Sequence, residues 1–124
     1  MDEITVKTIG ELGYYEGPNA IPGIRFRHAA RDLGVTGWGM NVLEIEPNCS
    51  GYPQHDHAAD GQEEVYVALR GSAILHAGGK EIRFGAGTLV RVGPTVIRKF
   101  VTGGDGLTLL ALGATPGKAY APRR

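Results

Sequence analysis

Apolar and polar residues alternate with period two in short runs along most of this chain, and glycine or proline closes each run, the pattern of half-buried strands joined by turns. Ile24, Phe26 and His28 alternate with Arg25 and Arg27, and Asn41, Leu43 and Ile45 alternate with Val42, Glu44 and Glu46, which predicts two strands with one face turned inward. From Glu63 the pattern is denser: EEVYVALRG, SAILHAGGKEIRF, TLVRVGP and VIRKFVTGGDGLTLLALG. Gly78-Gly79 and the stretch Gly103-Gly104-Asp105-Gly106 each divide two apolar runs, as two hairpin turns would, because glycine tolerates positive φ. With corners at Gly85, Gly87, Gly93 and Pro94, the runs amount to about eight strands, an all-β jelly roll or small barrel with little helix. The segment HAARDLG is compatible with a helical turn stopped at Gly34, but the alternation before it favours a strand start.

With 124 residues the chain fits one domain. A strand-rich body over 24–113 is preceded by an arm, 1–23, whose GYYEGPNAIPG stretch carries two of the five tyrosines. The arm is expected to lie over the barrel or over a partner subunit, since exposed adjacent aromatics would cost solubility. The tail, 114–124, is the segment expected to be disordered. Thirteen basic and thirteen acidic residues cancel, so no long-range field favours nucleic acid or an anionic membrane surface. No apolar run approaches a membrane span or a secretory signal, which makes a cytoplasmic location the expectation. Cys49 is the only cysteine; it reads as a buried structural thiol. His28 and His76, each alone in a predicted strand, read as structural or surface residues. Trp38, Met40 and Phe100 are expected to furnish an apolar wall.

Chemistry concentrates in GYPQHDHAADGQEEVYVALRG, residues 51–71. His55 and His57, two apart on an extended chain, face the same way. Glu64 opens a strand on which Glu64, Tyr66 and Ala68 share one face and Val65, Val67 and Leu69 the other. Two imidazoles and a carboxylate are the donor set of an open divalent site suited to iron, manganese, nickel, copper or zinc. Histidines beside turn residues such as Gly51, Pro53 and Asp56 also occur as solvated loop residues, and spacing does not separate the two readings. There is no phosphate-binding glycine loop and no G-x-S-x-G nucleophile.

These residues carry a resemblance. HDHAADGQEEVYVALRG is similar to the first motif of the cupin superfamily, in which a glycine precedes a His-x-His pair, a glutamate follows, and a glycine closes the next strand; Glu64 and Gly71 occupy those places. GAGTLVRVGPTVIRKF resembles the second motif, with Gly87 as its opening glycine and Gly93-Pro94-Thr95 as its turn. The likeness covers roughly residues 40–113 and implies a cupin-type double-stranded β-helix that assembles as a homodimer, with the arm a natural element to exchange. Two departures stand out: Arg98 occupies the place of the family's fourth ligand, and the loop between His57 and Glu64 is longer than usual. Small one-domain cupins with QEEVY and this arginine resemble it most.

Arginine stays charged and cannot ligate a metal. In VIRKFV, Val96, Arg98 and Phe100 share one face and Ile97, Lys99 and Val101 the other, so alternation does not choose, but the resemblance favours an inward Arg98. Two readings follow. In the first, His55, His57 and Glu64 hold a divalent ion and Arg98 grips a small, anionic molecule that undergoes isomerisation, decarboxylation or oxygen-dependent cleavage. In the second, a metal-free carrier or sensor binds its ligand in the barrel mouth, with Arg98 and Glu64 on a polar rim. Tyr66, Glu63 and Gln62 complete the expected ligand-binding set in both. A third reading is a structural partner that dimerises through edge strands.

Overall fold

The computed structural model describes residues 3–121. Its strands are β1 (Ile24–Arg27), β2 (Gly39–Ile45), β3 (Glu63–Ala77), β4 (Lys80–Gly85), β5 (Leu89–Val92) and β6 (Arg98–Ala114), with one helix, α1 (Ala29–Leu33), and a 3-10 turn at Ile9–Glu11. They form one antiparallel sheet in the order β1-β2-β6-β3-β4, with β5 also paired to β3. The path ends at β1 and β4, so the sheet curls in the manner of a jelly roll without closing into a barrel. No helix among the described residues is long and apolar enough to cross a membrane.

The predicted eight strands become six because two pairs of runs fuse. EEVYVALRG and SAILHA are the single strand β3, and VIRKFV and LTLLAL are the single strand β6. Only Gly78-Gly79 makes a hairpin, joining β3 to β4. At Gly103-Gly104-Asp105-Gly106 the chain does not reverse, since Thr102 pairs with Ala73 and Leu107 with Gly71 on the same neighbouring strand. The expected second hairpin is instead a bulge, in which one strand carries extra residues and bends. Gly71 and Gly106 meet there, both at positive φ, and a Cβ on Gly71 would collide with the Gly106 carbonyl oxygen. The two long strands bend together at that contact.

HAARDLG departs from the favoured strand reading. β1 stops at Arg27, and α1 follows, closed by Gly34 at φ 81°, the left-handed conformation glycine adopts without strain. His28 is the residue before the helix rather than part of a strand. The helix and the arm cover the outer face of β2: Leu12, Ala29 and Val42 are buried together, with Met40 packed on them. Gly13 N–H donates to Asp32 Oδ2 (2.7 Å) and Arg27 Nη1 donates to the Leu12 carbonyl (2.6 Å), while Tyr14 bridges Arg27. The arm thus packs on the sheet of its own chain.

The main core gathers the inward face of every strand, with Tyr66, Leu75, Phe84, Phe100 and Leu109 essentially inaccessible. Cys49 is buried at its edge. Trp38 departs from its expected place in an apolar wall: it is 47% exposed. β6 extends to Ala114, and Thr115 Oγ1 donates to the Asp60 carbonyl at 2.7 Å. Residues 115–121 of the expected tail are therefore described next to the body, whereas 122–124, like 1–2, lie outside the described residues.

Candidate metal centre and cavity

The segment carrying His55 and His57 is not a free loop. His55 forms an antiparallel bridge to Arg98, its N–H donating to the Arg98 carbonyl (3.1 Å) and its carbonyl accepting from Arg98 N–H (2.9 Å), and His57 N–H donates to the Pro94 carbonyl at 2.8 Å. The two sequence motifs are hydrogen-bonded to one another, which brings the imidazoles over the start of β3. There His57 Nε2 lies 3.1 Å and His55 Nε2 3.8 Å from Glu64 Oε1. One donor atom from each of the three residues falls within 4.8 Å of the others.

The opposite ring nitrogens are tied back. His55 Nδ1 is 3.1 Å from the Pro53 carbonyl oxygen, and His57 Nδ1 is 3.1 and 3.2 Å from the two Asp60 carboxylate oxygens. A carbonyl or carboxylate at Nδ1 favours the tautomer whose proton sits there, leaving Nε2 with its lone pair toward Glu64. This is the arrangement that orients metal-bound imidazoles. Two Nε2 donors and a carboxylate oxygen, each backed in this way, fit a divalent transition ion with coordination positions left open.

Tyr66 and Arg98 complete the surroundings of Glu64. Tyr66 hydroxyl donates to Glu64 Oε1 at 2.6 Å. Burial, then the nearby Tyr52 and Glu64, push the Tyr66 hydroxyl far up, so it remains a phenol and a donor. Burial pushes Tyr52 up to about 12. For Glu64, burial acts to raise the carboxyl, but the neighbouring His55 imidazole, the hydrogen bond from Tyr66 and the nearby His57 and Arg98 outweigh it and hold it below the ordinary value. The neighbouring Glu64 carboxylate raises His55 against the opposing effect of burial.

Arg98 points inward, with no exposed surface. Its Nη2 is 3.6 Å from Glu64 Oε1, an ionic contact too long for a hydrogen bond. The hydrogen bonds of the guanidinium go to backbone: Nη1 to the Val96 carbonyl at 2.9 Å, and Nη2 to those of Gly93 and Val92 at 3.4 and 3.5 Å. It therefore lies behind Glu64 as a fixed positive charge and, although expected in the ligand-binding set, is absent from the cavity wall. Glu63, also in the expected ligand-binding set, is absent from that wall as well. The alternation that turns Glu64 inward turns Glu63 outward, where Arg91 Nη2 and Nε hold its carboxylate at 2.9 and 3.1 Å. Gln62 and Tyr66 do line the cavity.

That cavity has a volume of about 710 Å³ and contains His55, His57 and Glu64 in its wall. Sequence reasoning missed several residues there: His28, Tyr52, Gly39, Gly113 and Tyr120. Gly113 pairs with Glu64, and Gly39 with Gly113, so two bare positions flank the carboxylate in one cross-strand row. A Cβ on Gly113 would stand 3.0 Å from Gln62 Oε1, and one on Gly39 3.0 Å from the Tyr120 hydroxyl. Register makes these neighbours, and nothing in local sequence announces it. Asn41 also lines the cavity, in keeping with its place on the inward face with Leu43 and Ile45. Phe100 lies beneath, edge-on to Tyr52 and Tyr66 with centroids 5.1 and 5.0 Å away. It and Met40 are absent from the wall itself.

No family model matches the chain, and no curated protein matches it. Solved structures do. A predicted oxalate decarboxylase from Thermotoga maritima is 20% identical with a TM-score of 0.72, covering 90% of this chain and 99% of that one. A cupin protein from Bacteroides fragilis is 18% identical with a TM-score of 0.64, covering 99% and 93%. A sugar phosphate isomerase of the cupin superfamily from Silicibacter pomeroyi is 18% identical with a TM-score of 0.71, covering 95% and 77%. Likeness at these identities establishes the architecture.

Proposed function

We propose, from the cupin fold that this chain has, that it binds a divalent transition metal through His55, His57 and Glu64 and uses it on a small molecule held in the adjoining cavity. The observation that carries this reading is the convergence of three donor atoms within 4.8 Å, with both imidazoles backed at Nδ1. Water or solvent would leave such rings free to turn; anchored rings keep their lone pairs aimed. The metal, when bound, supplies Lewis-acid polarisation of an oxygen on the ligand, which suits isomerisation or decarboxylation. Two of the fold neighbours are named for such reactions, on a sugar phosphate and on oxalate.

The chain's own residues do the rest. Tyr66 keeps a proton at its hydroxyl and steadies Glu64 Oε1. Gln62 offers an uncharged donor and acceptor at the wall. Arg98 stands behind Glu64 as a fixed positive charge. Elemental analysis of protein purified without chelators tests the reading: after reconstitution with iron, manganese, nickel or zinc, about one equivalent should be retained, and His57→Ala should lose most of it. Retention below about a tenth of an equivalent with all four metals would end the proposal.

A further inference from the structure

The cavity that adjoins the three candidate ligands has an uneven distribution of charge. Among the described residues in its wall, Glu64 is the one formal charge, and no lysine or arginine reaches it. The nearest guanidinium, Arg98, is sealed behind Glu64 and hydrogen-bonded to backbone carbonyls. A phosphate or a second carboxylate placed in this cavity would have no charge-assisted donor beyond the ion and the imidazoles of His55, His57 and His28. Burying an unpaired anion is strongly unfavourable.

Strand register shows how quickly the polar character fades. Glu64, Gly113 and Gly39 form one cross-strand row; Tyr66, Ala111 and Asn41 the next; Ala68, Leu109 and Leu43 the third, which Phe26 extends. Rows on one face are about 7 Å apart along a strand. One row from Glu64 the polar atoms are a phenol and an uncharged amide, and two rows away every side chain is apolar. Ile21 and Ile24 add more apolar surface from the arm and the start of β1.

We infer that this cavity takes a small molecule with a largely apolar, uncharged body that presents an oxygen-donor head to the ion and carries no phosphate or other anionic group beyond that head. The inference rests on the metal-binding reading for the head, while the choice of body rests on the walls alone. An α-hydroxyketone with an aromatic body fits. The head reaches Glu64 and its neighbours, and the ring lies against Leu43 and Phe26, within a volume ordinary for small-molecule sites.

A matched pair of probes tests it: 2-hydroxy-1-phenylethanone and dihydroxyacetone phosphate share the same hydroxyketone head and differ in a phenyl or a phosphate body. Zinc-loaded protein, its metal content counted first, is titrated with each by calorimetry. The phenyl compound should bind at least about tenfold more tightly. Asn41→Lys, which places an ammonium one row from Glu64, should improve binding of the phosphate ester by about tenfold or more and weaken that of the phenyl compound. Gln62→Lys serves the same purpose if Asn41→Lys does not fold. Equal or tighter binding of the phosphate ester by the unaltered protein, or no binding of the phenyl compound, overturns the inference. A protein that retains no zinc defeats the metal reading separately. The ratio of the two probes on that metal-free protein then decides the class of body, and the same two outcomes overturn the inference.

Discussion

Arg98 carries a full charge with no exposed surface, and its Nε has no hydrogen-bond partner among the described residues. Such a group is retained at a cost of about 1–3 kcal/mol for the unmade bond, offset by the carbonyls of Val96 and Gly93 and by Glu64. Its charge also opposes any cation that Glu64 holds, by several kcal/mol at an effective dielectric of about 20. Two effects of opposite sign follow for Arg98→Gln. Stability to urea should fall by about 1–3 kcal/mol as backbone carbonyls lose their donors, while the affinity of the three-ligand site for zinc should rise by about tenfold or more. A variant that binds zinc no better than the unaltered chain would refute the electrostatic role. The identity of this residue was readable but its direction was not: Val96, Arg98 and Phe100 balance Ile97, Lys99 and Val101 in polarity, and the register with β3 and the bridge to His55, both long-range, accompany its inward turn. For Glu64 the period-two pattern was sufficient, whereas Glu63 was expected beside it in the ligand-binding set although the same alternation turns it to the other face.

At the scale of elements, the bend shared by β3 and β6 depends on two glycines. Gly71→Ala would drive a Cβ into the Gly106 carbonyl at positive φ, and should destabilise the fold by about 2–4 kcal/mol. Gly104→Ala, in the same bulge but with open space around it, should change the urea midpoint far less, so equal losses would contradict this account. The Gly103-Gly104-Asp105-Gly106 stretch misleads on sequence because a bulge and a hairpin both call for positive φ; what separates them is whether the chain continues along the same neighbour, a long-range fact. α1 was a competing reading for the opposite reason: five residues give too little periodicity, and the decisive features are the Gly34 cap and the clamp of Asp32 on Gly13. That backbone hydrogen bond, and then Arg31, hold Asp32 below the usual carboxylate range. A depressed carboxyl adds stability that is present above its unfolded value, about 3.9, and is lost as pH falls through the lower folded value. The advantage of the unaltered chain over Asp32→Asn should thus be constant from neutral pH down to about 5 and shrink below about 4, as urea unfolding of both across that range would measure. A gap that widens in acid would contradict the sign.

The molecule as a whole draws the walls of one cavity from remote parts of the chain: the arm, β1, β2, the 51–62 segment, β3, the end of β6 and Tyr120. Of these, the sequence exposed the segments with local chemistry, His55 to Tyr66, and left the register-dependent ones unread. An ion held by His55, His57 and Glu64 would link the 51–62 segment to β3, a link absent from the unfolded chain. Binding to the folded state alone stabilises by RT ln(1 + [L]/Kd), about 2.7 kcal/mol at a hundredfold excess over Kd. For a chain of this length that corresponds to roughly 10 °C in Tm. Differential scanning calorimetry of chelator-treated protein with and without zinc should show a shift of that order, rising with the logarithm of zinc concentration. Glu64→Gln removes one anionic donor but keeps an oxygen for the Tyr66 hydroxyl, so its metal-free Tm is the proper baseline, and zinc should raise that baseline by at most about 2 °C. A full shift in this variant would mean that zinc acts elsewhere, at His28, His76 or the exposed acidic side chains, and the convergence at Glu64 would then have no part in stabilising the folded state.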